Sequence, residues 1–91
     1  MRLLWTDAAL ADLRRFYAFL APVNRNAAKR SVAAIRAAVG KAIERPRIGE
    51  RVEDVRGREV RKLYVDQFEL RYEVTPDCIR VLRVWHMREE R

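Results

Sequence analysis

The sequence predicts an α+β fold of order β-α-α-β-β-β, a small antiparallel sheet packed against an N-terminal helical hairpin. Two observations carry that expectation. Apolar residues recur at helical spacing between Leu10 and Ala42, interrupted once by Pro22. After Gly57 the apolar period shortens to two, the signature of half-buried strands. Helices and strands segregated along a chain favour helices on one sheet face, with the other face left partly open.

Each element has a local cause. "RLLW" at residues 2–5 reads as a short strand. Thr6 can cap a helix and Asp7 suits its positive end, ahead of a stripe of Leu10, Leu13, Tyr17 and Leu20. "APVN" at residues 21–24 breaks that helix, and Asn24 or Asn26 can cap the next. There Ala28, Val32, Ile35, Val39 and Ala42 form the apolar stripe. Pro46 ends the helix near Glu44 and Arg45. Residues 45–57 read as a loop. Strands follow at Val60–Val65, at "FELRYEV" (68–74) and at Ile79–Trp85, joined by a tight Asp66-Gln67 turn and by "TPDC". The nearly continuous apolar run of the last strand predicts a central place in the sheet.

Ninety-one residues, 49% of them hydrophobic, suit one domain with a modest core rather than disorder. No apolar run is long enough for a membrane span, and "MRLLWTDAAL" reaches Asp7 too soon for a signal peptide. The lone Cys78 has no partner for an internal disulfide, which fits a reducing cytoplasm. Net charge is +7, with 17 Arg to 3 Lys. Its placement is more informative than its size. From Leu13 to Ile43 there is no acid, yet there are seven bases: Arg14, Arg15, Arg25, Lys29, Arg30, Arg36 and Lys41. From Glu44 onward, 12 bases face 11 acids. The helical half therefore carries the excess, as a surface for nucleic acid or an acidic protein segment would, or simply as a solvated helix face.

The residues able to do chemistry are few. His86, the sole histidine, stands at the end of the last strand, two residues before Arg88. An imidazole titrates near neutral pH and can act as acid or base. With no Asp or Cys relay visible, a strand-end hydrogen bond is the plainer role. Glu69 and Arg71 share one strand face, with Arg61 and Lys62 in the neighbouring strand, and a same-face ion pair is the plainer role for the first two. Trp5 and Trp85 fit core or sheet-edge positions. Cys78 has no metal-binding companions, so no metal site or cofactor is expected. A general nucleic-acid-binding module is disfavoured, because no Gly-rich phosphate cradle or aromatic RNA-binding motif is present.

Four segments together resemble the RelE/ParE toxins of bacterial type II toxin–antitoxin systems. They are "WTDAALADLRRFYAFL", "NAAKRSVAAIRAAVGKAIERPRIGE", "GREVRKLYVDQFELRYEV" and "IRVLRVWHMREER". The resemblance covers nearly the whole chain. It implies a toxin linked to growth arrest and plasmid stabilisation, neutralised by a cognate antitoxin in a hetero-oligomer. The acid-free stretch suits such a partner, whose segments are often acidic. Two branches are implied. RelE-like members are endoribonucleases that cut mRNA in the ribosome, and for them the resemblance selects His86, Arg88, Arg61, Lys62 and Arg71. ParE-like members lack the nuclease residues and poison DNA gyrase. Here Glu69 stands where nuclease members usually carry an arginine, and the final residues lack the aromatic that several nucleases use for stacking. "RPRIGE" and "VWHMREER" look more ParE-like, so that branch is favoured. Arg14, Arg30, Arg36, Arg61, Arg71, His86 and Arg88 are then the residues expected to meet antitoxin or target.

Overall fold

The computed structural model describes residues 1–53 and 55–87. In chain order the elements are β1 (Arg2–Trp5), α1 (Asp7–Leu20), α2 (Arg25–Glu44), β2 (Glu50–Arg51), β3 (Glu59–Val65), β4 (Phe68–Val74) and β5 (Cys78–His86). The five strands form one sheet in the order β1-β5-β4-β3-β2. The expected meander β3-β4-β5 is antiparallel throughout. Two details depart from expectation. β1 pairs with β5 in parallel, so the sheet is mixed. The two helices carry the chain across one sheet face to the far edge, and the meander then returns it beside β1 running the same way. Within the stretch expected to be loop, Glu50 and Arg51 pair with Lys62 and Arg61 as a two-residue edge strand, too short for any sequence period to reveal.

Both helices start where their caps allow. Thr6 Oγ1 accepts the Ala9 N–H at 3.1 Å, and Asn24 Oδ1 accepts the Ala27 N–H at 3.0 Å. The buried face of α1 is Ala9, Asp12, Leu13 and Phe16. The stripe is thus rotated from the expected one, of which only Leu13 is fully buried. α2 buries Ala28, Ile35, Ala38, Val39 and Ala42, as expected apart from a half-exposed Val32. The main core joins both helices to β4 and β5 through Leu13, Phe16, Ile35, Val39, Phe68, Leu70, Val81 and Val84. Phe16 meets Phe68 edge-on at 5.0 Å.

A second, smaller cluster of Ala42, Tyr72 and Ile79 ends in a polar clasp. The Tyr72 hydroxyl donates to the Pro46 carbonyl at 2.8 Å and accepts the Gly49 N–H at 2.9 Å. A Cβ at Gly49 would stand 2.7 Å from that hydroxyl and 2.8 Å from the Lys62 carbonyl. The Pro-x-x-Gly spacing after α2 therefore has a direct cause: only glycine lets this loop close over Tyr72.

α1 is tied to the sheet by a single carboxylate. β1 stops at Trp5, but β5 runs on to His86, leaving its outer edge without a strand partner beyond Val81. Thr6 and Asp12 take that place. The Thr6 N–H donates to the Val81 carbonyl at 3.0 Å, and its hydroxyl donates to Leu82 at 2.8 Å. Asp12 Oδ2 accepts the Val84 N–H and Arg83 Nε, both at 2.8 Å. Its Oδ1 accepts Arg83 Nη2 at 3.0 Å and Arg15 Nη2 at 3.1 Å. Burial alone would raise the Asp12 carboxyl. The bonds from Arg83 and Val84, the Arg83 charge and the Arg15 bond outweigh it and hold the group below its ordinary value.

Asp12→Ala should cost about 3 kcal/mol, the scale of breaking a buried pair, and lower the thermal midpoint by roughly 15 °C. An unchanged midpoint would remove Asp12 from this role. A depressed folded-state pKa stabilises fully above the ordinary carboxylate value of about 4, and the contribution is lost as pH falls below it. Acid unfolding followed by circular dichroism should therefore show a loss of stability below about pH 4 that is shallower in Asp12→Ala.

Candidate functional site

The sheet face turned away from the helices is covered by its own side chains. β3 contributes Lys62 and Tyr64, β4 Glu69, Arg71 and Glu73, and β5 Arg80, Arg83 and Trp85. Glu69 and Glu73 are buried beneath arginines. The expected Glu69–Arg71 pair forms, at 2.8 Å. Arg58 grips Glu73 with two bonds of 2.8 and 2.9 Å, and Arg80 adds a third at 3.4 Å. The Arg58 bonds outweigh burial and hold the Glu73 carboxyl below its usual range. The Arg71 and Arg83 guanidinium groups lie 4.9 and 5.1 Å from the Trp85 ring centroid. This is a surface of arginines braced by carboxylates and an indole, able to bind but with its acids already engaged.

The remaining sequence candidates do not converge there. Arg61 and Lys62 are consecutive in β3 and so point to opposite faces. Arg61 turns to the helix side, where its Nε bonds Glu59 at 2.7 Å and its Nη1 the Gly49 carbonyl at 2.8 Å. His86 is also on the helix side, paired across the strands with Phe68. Its ring meets Phe68 edge-on at 5.4 Å, and its Nε2 lies 3.1 Å from Gln67 Oε1. Lys62 and Arg71 lie on the other side of the sheet. Arg88 lies outside the described residues.

The helical hairpin presents the second basic surface. Arg14 and Arg36 flank a shallow hollow floored by Leu13, Tyr17 and Val32. Arg30 is exposed on α2 but does not line it. Among the described residues, Arg14, Arg25, Lys29, Arg30, Arg36 and Lys41 make no ion pair. Here an apolar floor stands between two arginines that no described carboxylate engages.

A family profile described as the ParE toxin of type II toxin–antitoxin systems, parDE, matches residues 3–91. The chain belongs to the ParE toxin family. A solved structure of a chromosomal ParDE toxin–antitoxin system from P. aeruginosa is similar to it, with 27% identity over 94% of this chain and 95% of that one and a TM-score of 0.76. No curated protein matches the chain.

For this ParE-family member, sequence reasoning located the basic hairpin but missed three structural groups. Asp12 and its partner Arg83 are 71 residues apart, and the Arg58–Glu73 clamp and the Tyr72 clasp likewise join distant segments. A signal for Asp12 existed. It is the one charged residue among Ala9, Leu13 and Phe16, and a carboxylate in a buried stripe demands a partner. His86→Ala should reduce growth arrest by less than about threefold, since the half-buried ring makes a strand-end contact with Phe68 and Gln67 and lies on the other side of the sheet from Lys62 and Arg71. Loss of arrest together with loss of mRNA cleavage in a translation extract would make His86 a catalytic residue instead.

Proposed function

We propose that this ParE-family toxin acts in the cytoplasm by binding and inhibiting DNA gyrase, cutting no nucleic acid, and is silenced by an acidic segment of its cognate antitoxin. The antitoxin half of the reading rests on the hairpin hollow. Leu13, Tyr17 and Val32 offer an apolar floor, and Arg14 and Arg36 offer cations that no carboxylate among the described residues engages. An amphipathic acidic segment fits both features. Charge steers its approach, and apolar contact holds it. The resulting assembly is a hetero-oligomer of toxin and antitoxin.

The choice of gyrase over mRNA rests on the sheet. Cleavage next to a 2′-hydroxyl needs a base and phosphate-binding cations on one side of one substrate. His86 faces the helices, whereas Lys62 and Arg71 face the opposite way. That separation favours a binding toxin.

Production of the chain alone in bacteria should arrest growth, and co-expression of the antitoxin encoded beside it should restore growth. Purified protein should inhibit gyrase supercoiling and leave mRNA intact in a translation extract. Intact supercoiling with cleaved mRNA reverses the choice. Replacing Arg14, Arg30 and Arg36 together by Ala should weaken antitoxin binding about tenfold, as three exposed charge contacts would, and should flatten its salt dependence. Unchanged affinity in calorimetry would move the antitoxin off this face.

A further inference from the structure

The most exposed large apolar side chains among the described residues lie together at the free end of the helical hairpin. Val23 is 85% exposed and Phe19 77%, against 57% for the next, Met1. The exposed Pro22 sits between them. Neither Phe19 nor Val23 belongs to a core cluster, so the fold does not require them to be apolar. Single exposed hydrophobic residues are ordinary; two of this size with a proline, within five residues at a tip, make a patch.

The patch is also held in shape. The Ala21 N–H bonds Tyr17 at 2.8 Å, and the Val23 and Asn24 N–H groups bond Leu20 at 3.1 and 2.9 Å. Asn24 caps α2 at once, and Pro22 fixes its own φ. Anchors fixed before binding lose little freedom on docking. Around them the charge has one sign. Arg25 opens α2 at this end, and Lys29 lies one turn on along the same face. Neither makes an ion pair with a described carboxylate. The acids that flank the hairpin in sequence do not neutralise it: Asp12 is held by Arg83, and Glu44 lies at the far end of α2.

We infer that this hairpin tip is the surface with which the toxin engages its protein target, Phe19 and Val23 entering an apolar recess whose rim is acidic and meets Arg25 and Lys29. The inference rests on the reading of the chain as a target-binding toxin and adds where the target binds. An apolar centre within a charged rim is the arrangement in which a few anchors carry most of the binding energy. The complementary charge selects an acidic protein. A nucleic-acid backbone would satisfy Arg25 and Lys29 but offers no recess for two apolar side chains. The tip is also distinct from the hollow proposed for the antitoxin, since Phe19 and Val23 do not line it.

The test pairs two double variants of the full chain. Phe19→Ser with Val23→Ser removes the anchors, and Arg25→Glu with Lys29→Glu reverses the rim. Thermal unfolding should show both folded, since all four side chains are exposed. Both should lose growth arrest when expressed without antitoxin, and both should raise the half-inhibitory concentration in gyrase supercoiling more than about tenfold, as loss of central anchors does. Affinity of the serine variant for the antitoxin encoded beside the toxin should stay within about threefold, since neither the charge of the hairpin nor any residue of the proposed hollow changes. Full growth arrest in the serine variant overturns the inference. So does a parallel loss of antitoxin affinity, which would make the tip the antitoxin's. So too does wild-type binding to anionic phospholipid vesicles, or wild-type self-association in sedimentation, that the serine variant abolishes. A wild type that arrests growth without inhibiting gyrase removes gyrase alone and leaves growth arrest as the measure of the tip. A wild type that arrests nothing removes the toxin reading itself.

Discussion

The Asp12 carboxylate is the joint on which the geometry turns. A sheet whose outer strand stops early leaves N–H and C=O groups that must be satisfied. β1 covers β5 only from Cys78 to Val81. Beyond that point Thr6 and Asp12, both from the start of the helical hairpin, take over the edge. The same bonds that complete the strand therefore fix where α1 lies. Because α2 follows by a short rigid link, they fix the whole hairpin, with its basic hollow and apolar tip. A carboxylate also suits this place better than an amide would. It is buried, and three donors from Arg83 and Val84 together with Arg15 saturate its two oxygens.

The division of charge follows from the same economy. In the sheet half, acids and bases are nearly balanced, and the structure pairs them closely: Glu59 with Arg61 and Arg47, Glu69 with Arg71, Glu73 with Arg58 and Arg80. There the arginines serve the fold: Arg58, Arg71 and Arg80 brace the sheet face that no helix covers, and Arg61 holds Glu59 and the Gly49 loop on the other side. In the hairpin no acid lies between Leu13 and Ile43. Of its seven bases, Arg15 alone has a described ion pair, with Asp12. The net charge of the protein is thus a property of one substructure. A positive field of this kind is set by the hairpin rather than by the molecule as a whole.

Much of this was legible in the sequence, and what was not has a common cause. The strand-helix-helix-meander order, the caps at Thr6 and Asn24 and the end of α2 before Pro46 are written in local residues, and the structure follows them. The charge excess of the hairpin could be foreseen because the stretch from Leu13 to Ile43 holds no acid, although Asp12 reaches Arg15 across its boundary. Asp12 with Arg83, Arg58 with Glu73 and the seat of Gly49 under the Tyr72 hydroxyl were not legible, because each depends on a contact between distant segments. The rotation of the α1 stripe is part of the same limit. Period alone cannot tell that Asp12 turns inward, so the apolar face was placed on Leu10 and Tyr17 instead.

The faces of β5 show how one local irregularity decides what the sheet can do. Alternation from Ile79 and Val81, both facing the helices, would place Arg83 and Trp85 in the core and His86 on the open face beside Lys62 and Arg71. That arrangement would gather an imidazole and two cations on one side. Instead Tyr72 pairs with Val81 while Arg71 pairs with Arg83, so Leu82 is an extra residue in β5. The bulge inverts the alternation after it. Val84 enters the core, Trp85 and Arg83 emerge to brace Arg71, and His86 turns towards Phe68. Its position has a structural reason, since it lies where β1 has ended and the helix start takes over the edge of β5: the Thr6 hydroxyl bonds the carbonyl of Leu82 itself. The change of edge partner that Asp12 completes is thus also what separates His86 from the face that carries Lys62 and Arg71.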